Sequence, residues 1–238
     1  MGRAFEYRKA TKMKRWANMA RVFTKIGREI AIAVKDGGTD PNYNPRLRAA
    51  VNNAKAANMP KTNVDNAIKK ASSKDAENYA EVVYEGYGSH GIAIMVETTT
   101  DNPTRTVANV RSHFNKCGGI MGTSGSVDFM FVRKGVFRVK NAGLNLEDLE
   151  FELIDAGLDD MKVEEDELVI YSTFTEFGAM SKALEEKGIE VINAELQRIP
   201  TMTKKLNDDE IESIIKLIDR LEDDEDVANV FTTMDMNE

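Results

Sequence analysis

From Met13 to Val34 the apolar residues Trp16, Met19, Phe23, Ile26 and Ile30 recur at spacings of three and four, the stripe of an amphipathic helix. Asp36-Gly37-Gly38 stops it with residues that tolerate left-handed backbone, and Asp40-Pro41 extends the turn. Asn44-Pro45 supplies an N-cap and a proline at the first helical position, which opens a second helix through Leu47, Val51 and Ala54 that Pro60 is expected to end. A third short helix turns Val64, Ala67, Ile68 and Ala71 inward and Lys69 and Lys70 outward, and Ser72-Ser73-Lys74 reads as a linker.

After Tyr79 the period changes to two. Val82 to Tyr87 and Ile92 to Thr98 read as strands joined by a glycine-rich turn, and Asp101-Asn102-Pro103 starts a helix with Val107, Val110 and Phe114 inward. The glycines 118, 119, 122 and 125 then lead to an expected strand from Val127 to Val132. The following order is strand Val136 to Val139, helix Leu146 to Ala156, strands at Met161 to Val163 and Leu168 to Ser172, helix Glu176 to Lys187, and strand Val191 to Leu196. That order is the βαββαβ unit of a ferredoxin-like sheet covered on one face by two helices.

A last helix, Asp208 to Leu221, and a strand, Val227 to Thr232, cannot bury their apolar faces alone. The incomplete ββαβ unit lacks one helix and one strand, so the C-terminus is expected to return and complete it. The reading is an α+β protein: an N-terminal three-helix basic domain (1–76) followed by two ferredoxin-like α/β domains, a discontinuous one (77–133 plus 205–238) and a third (134–204) inserted into it.

Charge changes this picture. The net value of -8 hides a split: residues 1–74 hold 17 Lys+Arg against 5 Asp+Glu, a net of +12, whereas residues 75–238 hold 15 against 35, a net of -20. So basic a segment on an acidic protein is expected to seek polyanions, while the remainder repels them and orients the complex. On the first helix Lys14, Arg21, Lys25 and Arg28 cluster opposite the apolar stripe, with Arg15 beside them. With Arg46, Arg48 and Lys55 on the second helix and Lys61, Lys69 and Lys70 nearby, these are the candidate phosphate ligands. Aromatics at Phe5, Tyr7, Trp16, Phe23 and Tyr43 stand beside cations, although the helical stripe assigns Trp16 and Phe23 to packing.

Other chemistry finds no support. Gly86-Tyr87-Gly88-Ser89-His90-Gly91 satisfies G-x-G-x-x-G, but a strand rather than a helix follows, so it reads as a hairpin turn. No phosphate-binding G-x-x-x-x-G-K-[ST] occurs, and Gly122 to Ser126 lacks the context of a nucleophile elbow. His113 and Cys117 have no partner identifiable in the sequence, and the acidic run Glu222 to Asp226 reads as a solvated linker. One cysteine permits no internal disulfide, and with His90 and His113 supplies too few ligands for structural zinc. No enzymatic activity, cofactor, metal or small-molecule substrate is expected. Nor is a membrane span, since no run approaches ~18 apolar residues. A reducing compartment fits best, and the basic, amphipathic, acid-poor residues 1–34 also have the composition of a mitochondrial transit peptide.

The residues also resemble a known family. Phe23-Thr24-Lys25-Ile26-Gly27-Arg28-Glu29-Ile30, Asn44-Pro45-Arg46-Leu47-Arg48 and Asn58-Met59-Pro60-Lys61 look like the YebC/PmpR family. So do Tyr84-Glu85-Gly86-Tyr87-Gly88, Thr100-Asp101-Asn102-Pro103-Thr104-Arg105-Thr106-Val107, Gly118-Gly119, Gly125-Ser126-Val127, Leu217-Ile218-Asp219 and Asp226-Val227, so the resemblance runs essentially the full length. It departs at the start, where Met13-Lys14-Arg15-Trp16 follows a distinct extension from Gly2 to Thr11. The resemblance implies a three-domain α/β protein without catalytic residues, cytoplasmic in bacteria and mitochondrial in eukaryotes, and because the family pattern already begins near Lys14-Arg15-Trp16 it favours the bacterial cytoplasm over a transit peptide. It further implies a DNA-binding transcriptional regulator or, as the alternative, a ribosome-associated translational activator that binds ribosomal or transfer RNA. Charge does not separate these, because both nucleic acids present phosphates and no base-reading set is recognisable.

Overall fold

The computed structural model describes residues 19–73, 78–141, 143–164 and 166–235. The chain forms two compact units, Met1–Lys25 with Glu77–Val132 and Ile199–Glu238, and Ile26–Ala76 with Arg133–Arg198. Among the described residues no helix is long and apolar enough to cross a membrane.

In the unit containing Ile26–Ala76, helix α1 (Met19–Gly37) places Ile30, Ala33 and Val34 in a small core with Leu47, Ala50 and Ala54 of α2 (Pro45–Ala56) and Val64 of α3 (Lys61–Ala71). Gly38 ends α1 at φ +84, the left-handed conformation that glycine adopts without a Cβ penalty. The α1–α2 corner is held by one buried side chain. Asn44 Nδ2 donates to the Ala33 carbonyl (2.6 Å) and the Gly38 carbonyl (2.9 Å), and its Oδ1 accepts from Leu47 N–H (3.0 Å). A carbonyl of the last turn of α1, the Gly38 carbonyl beyond its end and an amide freed by the start of α2 are thus tied to one side chain, which needs a carboxamide rather than a carboxylate. Helix α2 stops before Pro60, at Ala56. Asn58 takes φ +57, and Met59 N–H reaches back to the Ala54 carbonyl at 2.8 Å, a Schellman-type end, while Pro60 caps the start of α3.

The same unit contains β4 (Phe131–Lys140, from Arg133), α5 (Leu146–Leu153), β5 (Leu158–Glu164), β6 (Glu167–Thr173), α6 (Phe177–Glu186) and β7 (Val191–Pro200, to Arg198). The sheet order β5-β6-β4-β7 is that of a split-βαβ sheet. Phe137, Val139, Leu168 and Ile170 on the sheet pack against Leu149 and Leu153 of α5 and Met180 and Leu184 of α6. Edge strand β7 is covered by the helical module: Asn53 Oδ1 accepts from Ala194 N–H (3.0 Å) and Asn53 Nδ2 donates to the Ala194 carbonyl (2.9 Å). This amide fills the place of a neighbouring strand and blunts an exposed edge. Ala49 of α2 joins the core beneath the sheet.

The other unit is built on a sheet ordered β3-β1-β2-β8, from β1 (Ala80–Tyr87), β2 (Ala93–Thr100), β3 (Ile120–Met121) and β8 (Val227–Thr232). Helices α4 (Pro103–Lys116) and α7 (Asp208–Glu222) cover one face, with Val110, Phe114, Ile214 and Leu217 on Ile94 and Val96. The C-terminal strand pairs antiparallel with β2, Ile94 opposite Thr232. The G-x-G-x-x-G segment is the β1–β2 turn, with His90 at φ +61.

The expected strand from Val127 to Val132 is not there. Asp128–Met130 is a 3-10 turn, and the strand beside β1 is Ile120–Met121. The buried Glu85 carboxylate accepts from the N–H groups of Gly125 (2.7 Å), Val127 (2.7 Å) and Asp128 (3.0 Å), so these backbone donors are satisfied by a side chain instead of a ladder. Val127 and Phe131 are apolar because they pack on Ala93 and Met95 behind the sheet. The two short strands expected at 127–132 and 136–139 are replaced by one, beginning at Phe131 and passing through Gly135, where a Cβ would lie 2.4 Å from Ser172 Oγ.

Candidate nucleic-acid interface

The candidate cations fall into distinct physical states. Lys14 and Arg15 lie outside the described residues. On α2, Arg46 is forked onto Glu29, with Nε and Nη2 at 2.8 and 3.2 Å from its two carboxylate oxygens, and Nη1 lies 3.1 Å from Asp36. Arg48 donates to the carbonyls of Pro41 (3.1 Å) and Asn42 (2.7 Å) and to Glu185 (3.1 Å), with only 18% of its side chain exposed. These planar forks meet carboxylates and carbonyls in fixed geometry, so both arginines fasten the fold.

Lys55 at the end of α2 and Lys61 and Lys69 on α3 are different. All three are exposed and, among the described residues, none of their ammonium groups makes an ion pair or hydrogen bond. Lys70 is exposed and engaged. Val64, Ala67 and Ile68 turn inward, which leaves the lysines on the solvent side of α3 as the spacing predicts. Flexible ammonium groups with no partner to lose contact a phosphate at little cost.

The α1 cations stand between these extremes. Arg21 Nη1 lies 2.7 Å from Asp223 and Lys25 Nζ donates to the Glu222 carbonyl at 3.2 Å, while Arg28 is half-buried and engaged. The acidic run is accordingly no solvated linker. Asp223 meets Arg21, Asp224 lies 3.1 Å from His113 Nε2, and Asp226 is buried against Arg105. His113 therefore has the partner that its own helix could not reveal.

The Arg105–Asp226 fastening is the strongest polar constellation that the sequence reading missed. Arg105 Nη2 lies 2.8 and 3.0 Å from the two Asp226 oxygens and Thr106 Oγ1 lies 2.8 Å from one of them, with Thr100 Oγ1 at 3.3 Å. The hydrogen bond to Asp226, joined by that to Asp101, holds the Arg105 guanidinium above the usual arginine range. Its signal was the Thr100 to Val107 motif, but the partner stands 121 residues away. Among the described residues no group of three or more His, Cys, Asp or Glu side chains could hold a metal ion.

Two sequence profiles match: the TACO1/YebC protein N-terminal domain over residues 3–74, and the TACO1/YebC second and third domain over residues 79–234. The chain is 59% identical over 235 residues to a probable transcriptional regulatory protein of Parabacteroides distasonis, covering 98% of this chain and 97% of that one. It is 54% identical over 234 residues to one of the same description from Flavobacterium johnsoniae, covering 98% and 99%. The crystal structure of a conserved hypothetical protein from Aquifex aeolicus is similar with a TM-score of 0.81 and 37% identity, over 92% of this chain and 91% of that one.

Proposed function

The chain belongs to the TACO1/YebC family, and from that premise we propose that it is a nucleic-acid-binding regulator of gene expression acting as a DNA-binding transcriptional regulator. The observation that carries this reading is the set Lys55, Lys61 and Lys69, exposed and unneutralised on the helical module within a segment of net charge +12. Such a surface attracts a sugar-phosphate chain through counterion release and imposes no sequence preference of its own. The relatives from Flavobacterium johnsoniae and Parabacteroides distasonis, named probable transcriptional regulatory proteins, support the transcriptional reading.

In-cell crosslinking followed by sequencing of both bound DNA and bound RNA tests the proposal. Enrichment at promoter DNA is expected. Enrichment on ribosomal or transfer RNA with none at promoters replaces the transcriptional reading by a translational one. In vitro, binding to a 30-base-pair duplex should weaken steeply with salt, and an affinity that ignores salt would remove the electrostatic basis of both.

A further inference from the structure

Helix α4 lies in the acid-rich part of the chain yet carries no carboxylate. From residue 75 onward there are 35 Asp+Glu, a density that would put about three on a helix of its length, but Pro103–Lys116 has none and bears Arg105, Arg111 and Lys116. Arg105 is consumed by Asp226 and Asp101. Arg111 and Lys116 are not: both are exposed and, among the described residues, neither side chain has an ion-pair or hydrogen-bond partner. Many other cations of this half are paired, among them Lys134 with Asp159, Arg138 with Glu164 and Glu167, and Lys187 with Glu152.

Thr106, Val110 and Phe114 turn α4 toward its core, so Ala108, Arg111, Ser112, Asn115 and Lys116 line a shallow, open surface on its outer side. Its four polar side chains are all donors of the kinds that bind phosphate oxygens, and among the described residues no carboxylate lines it to repel them. Arg111 and Lys116 are separated by ~7.5 Å along the helix axis. Lys116 alone would suit the negative end of the helix dipole, but Arg111, a full turn earlier, has no such use.

We infer that this outer face of α4 is a second phosphate-binding surface, which takes the sugar-phosphate backbone of the nucleic acid. The inference rests on the proposed function. It departs from the sequence expectation that everything beyond residue 74 repels polyanions.

The test uses the full chain with two fluorescent probes, a 30-nucleotide RNA and a 30-base-pair DNA duplex, titrated across a salt series. For Arg111→Gln with Lys116→Gln, affinity should fall about fivefold or more. The log-log salt slope should flatten by about 1.8 on the duplex or about 1.4 on the single strand. Lys205→Gln with Lys216→Gln removes the same charge from exposed positions elsewhere and should change affinity by less than about twofold. In the unmodified chain, the backbone amide resonances of residues 111–116 should shift on adding the probe that binds more tightly. Equal losses in the two double variants, or unmoved α4 amides at saturation, would overturn the inference. If the α4 variant binds normally while Lys55, Lys61 and Lys69 changed together to Gln weaken binding, the α4 surface is refuted and the proposed function stands. If the unmodified chain ignores both probes at low salt, both are refuted.

Discussion

Arg46 and Lys61 carry the same charge on neighbouring helices and put it to opposite uses. The guanidinium at the start of α2 is spent on Glu29 and Asp36, and Arg48 beside it on Glu185 and two carbonyls. The ammonium groups of Lys55, Lys61 and Lys69 meet water. A net charge of +12 therefore overstates what the module can offer a phosphate chain. Arginine forks that already hold carboxylates must give up charge-assisted hydrogen bonds before taking a new partner, whereas the lysines exchange only hydration.

The largest effect that separates the two groups is on binding. Changing Lys55, Lys61 and Lys69 together to Gln is predicted to weaken binding to a duplex on the order of a hundredfold at low salt and to flatten the salt slope by about 2.7, with the melting temperature unchanged. A slope that stays where it was would show that phosphates dock on the arginines after all.

Next comes the corner on which the module depends. Asn44→Asp keeps the cap acceptor but removes both donors and buries a charge against the Ala33 and Gly38 carbonyls. A loss of about 2–3 kcal/mol is expected in urea unfolding. A cost below about 0.5 kcal/mol would mean that the buried carboxamide does not set the α1–α2 turn.

Arg46→Gln is the converse of the lysine variant and smaller than the Asn44 change. Its ion pairs are partly exposed, so about 1 kcal/mol of stability should go. Affinity per folded molecule, measured below the unfolding transition, should hold within about twofold. A tenfold loss of affinity with no loss of stability would move Arg46 into the binding set.

Why some of this was legible and some not follows from sequence distance. The N-cap at Asn44-Pro45, the inward set of α3 and the βαββαβ order are local patterns of period and turn chemistry, and the structure places them where the spacing puts them. Strand β8 spans the expected Val227–Thr232. The failures share one cause, a polar side chain whose partner is remote. Val127 to Val132 has the composition of a strand, but its backbone donors belong to Glu85, some 40 residues back. Glu222 to Asp226 has the composition of a linker, but its carboxylates meet Arg21, His113 and Arg105. Likewise, Arg48 is spent on Glu185, 137 residues on, so availability could not be read from the charge pattern.

Arg21 sharpens the comparison because it belongs cleanly to neither group. Its fork meets Asp223 at 2.7 Å, yet 45% of the arginine side chain and 58% of the aspartate remain exposed. An ion pair so open to water contributes only ~0.2–1 kcal/mol, less than a phosphate contact regains through counterion release. Asp223→Asn should therefore release Arg21 at little cost, lowering stability by less than about 1 kcal/mol while raising affinity about twofold to threefold at low salt. The gain should vanish in the Arg21→Gln background, which distinguishes a freed arginine from a general drop in negative charge. An Asp223→Asn protein that binds no better, or equally better with and without Arg21, would place this arginine with Arg46 and Arg48 among the fasteners and leave Lys55, Lys61 and Lys69 as the open cations among the described residues of the helical module.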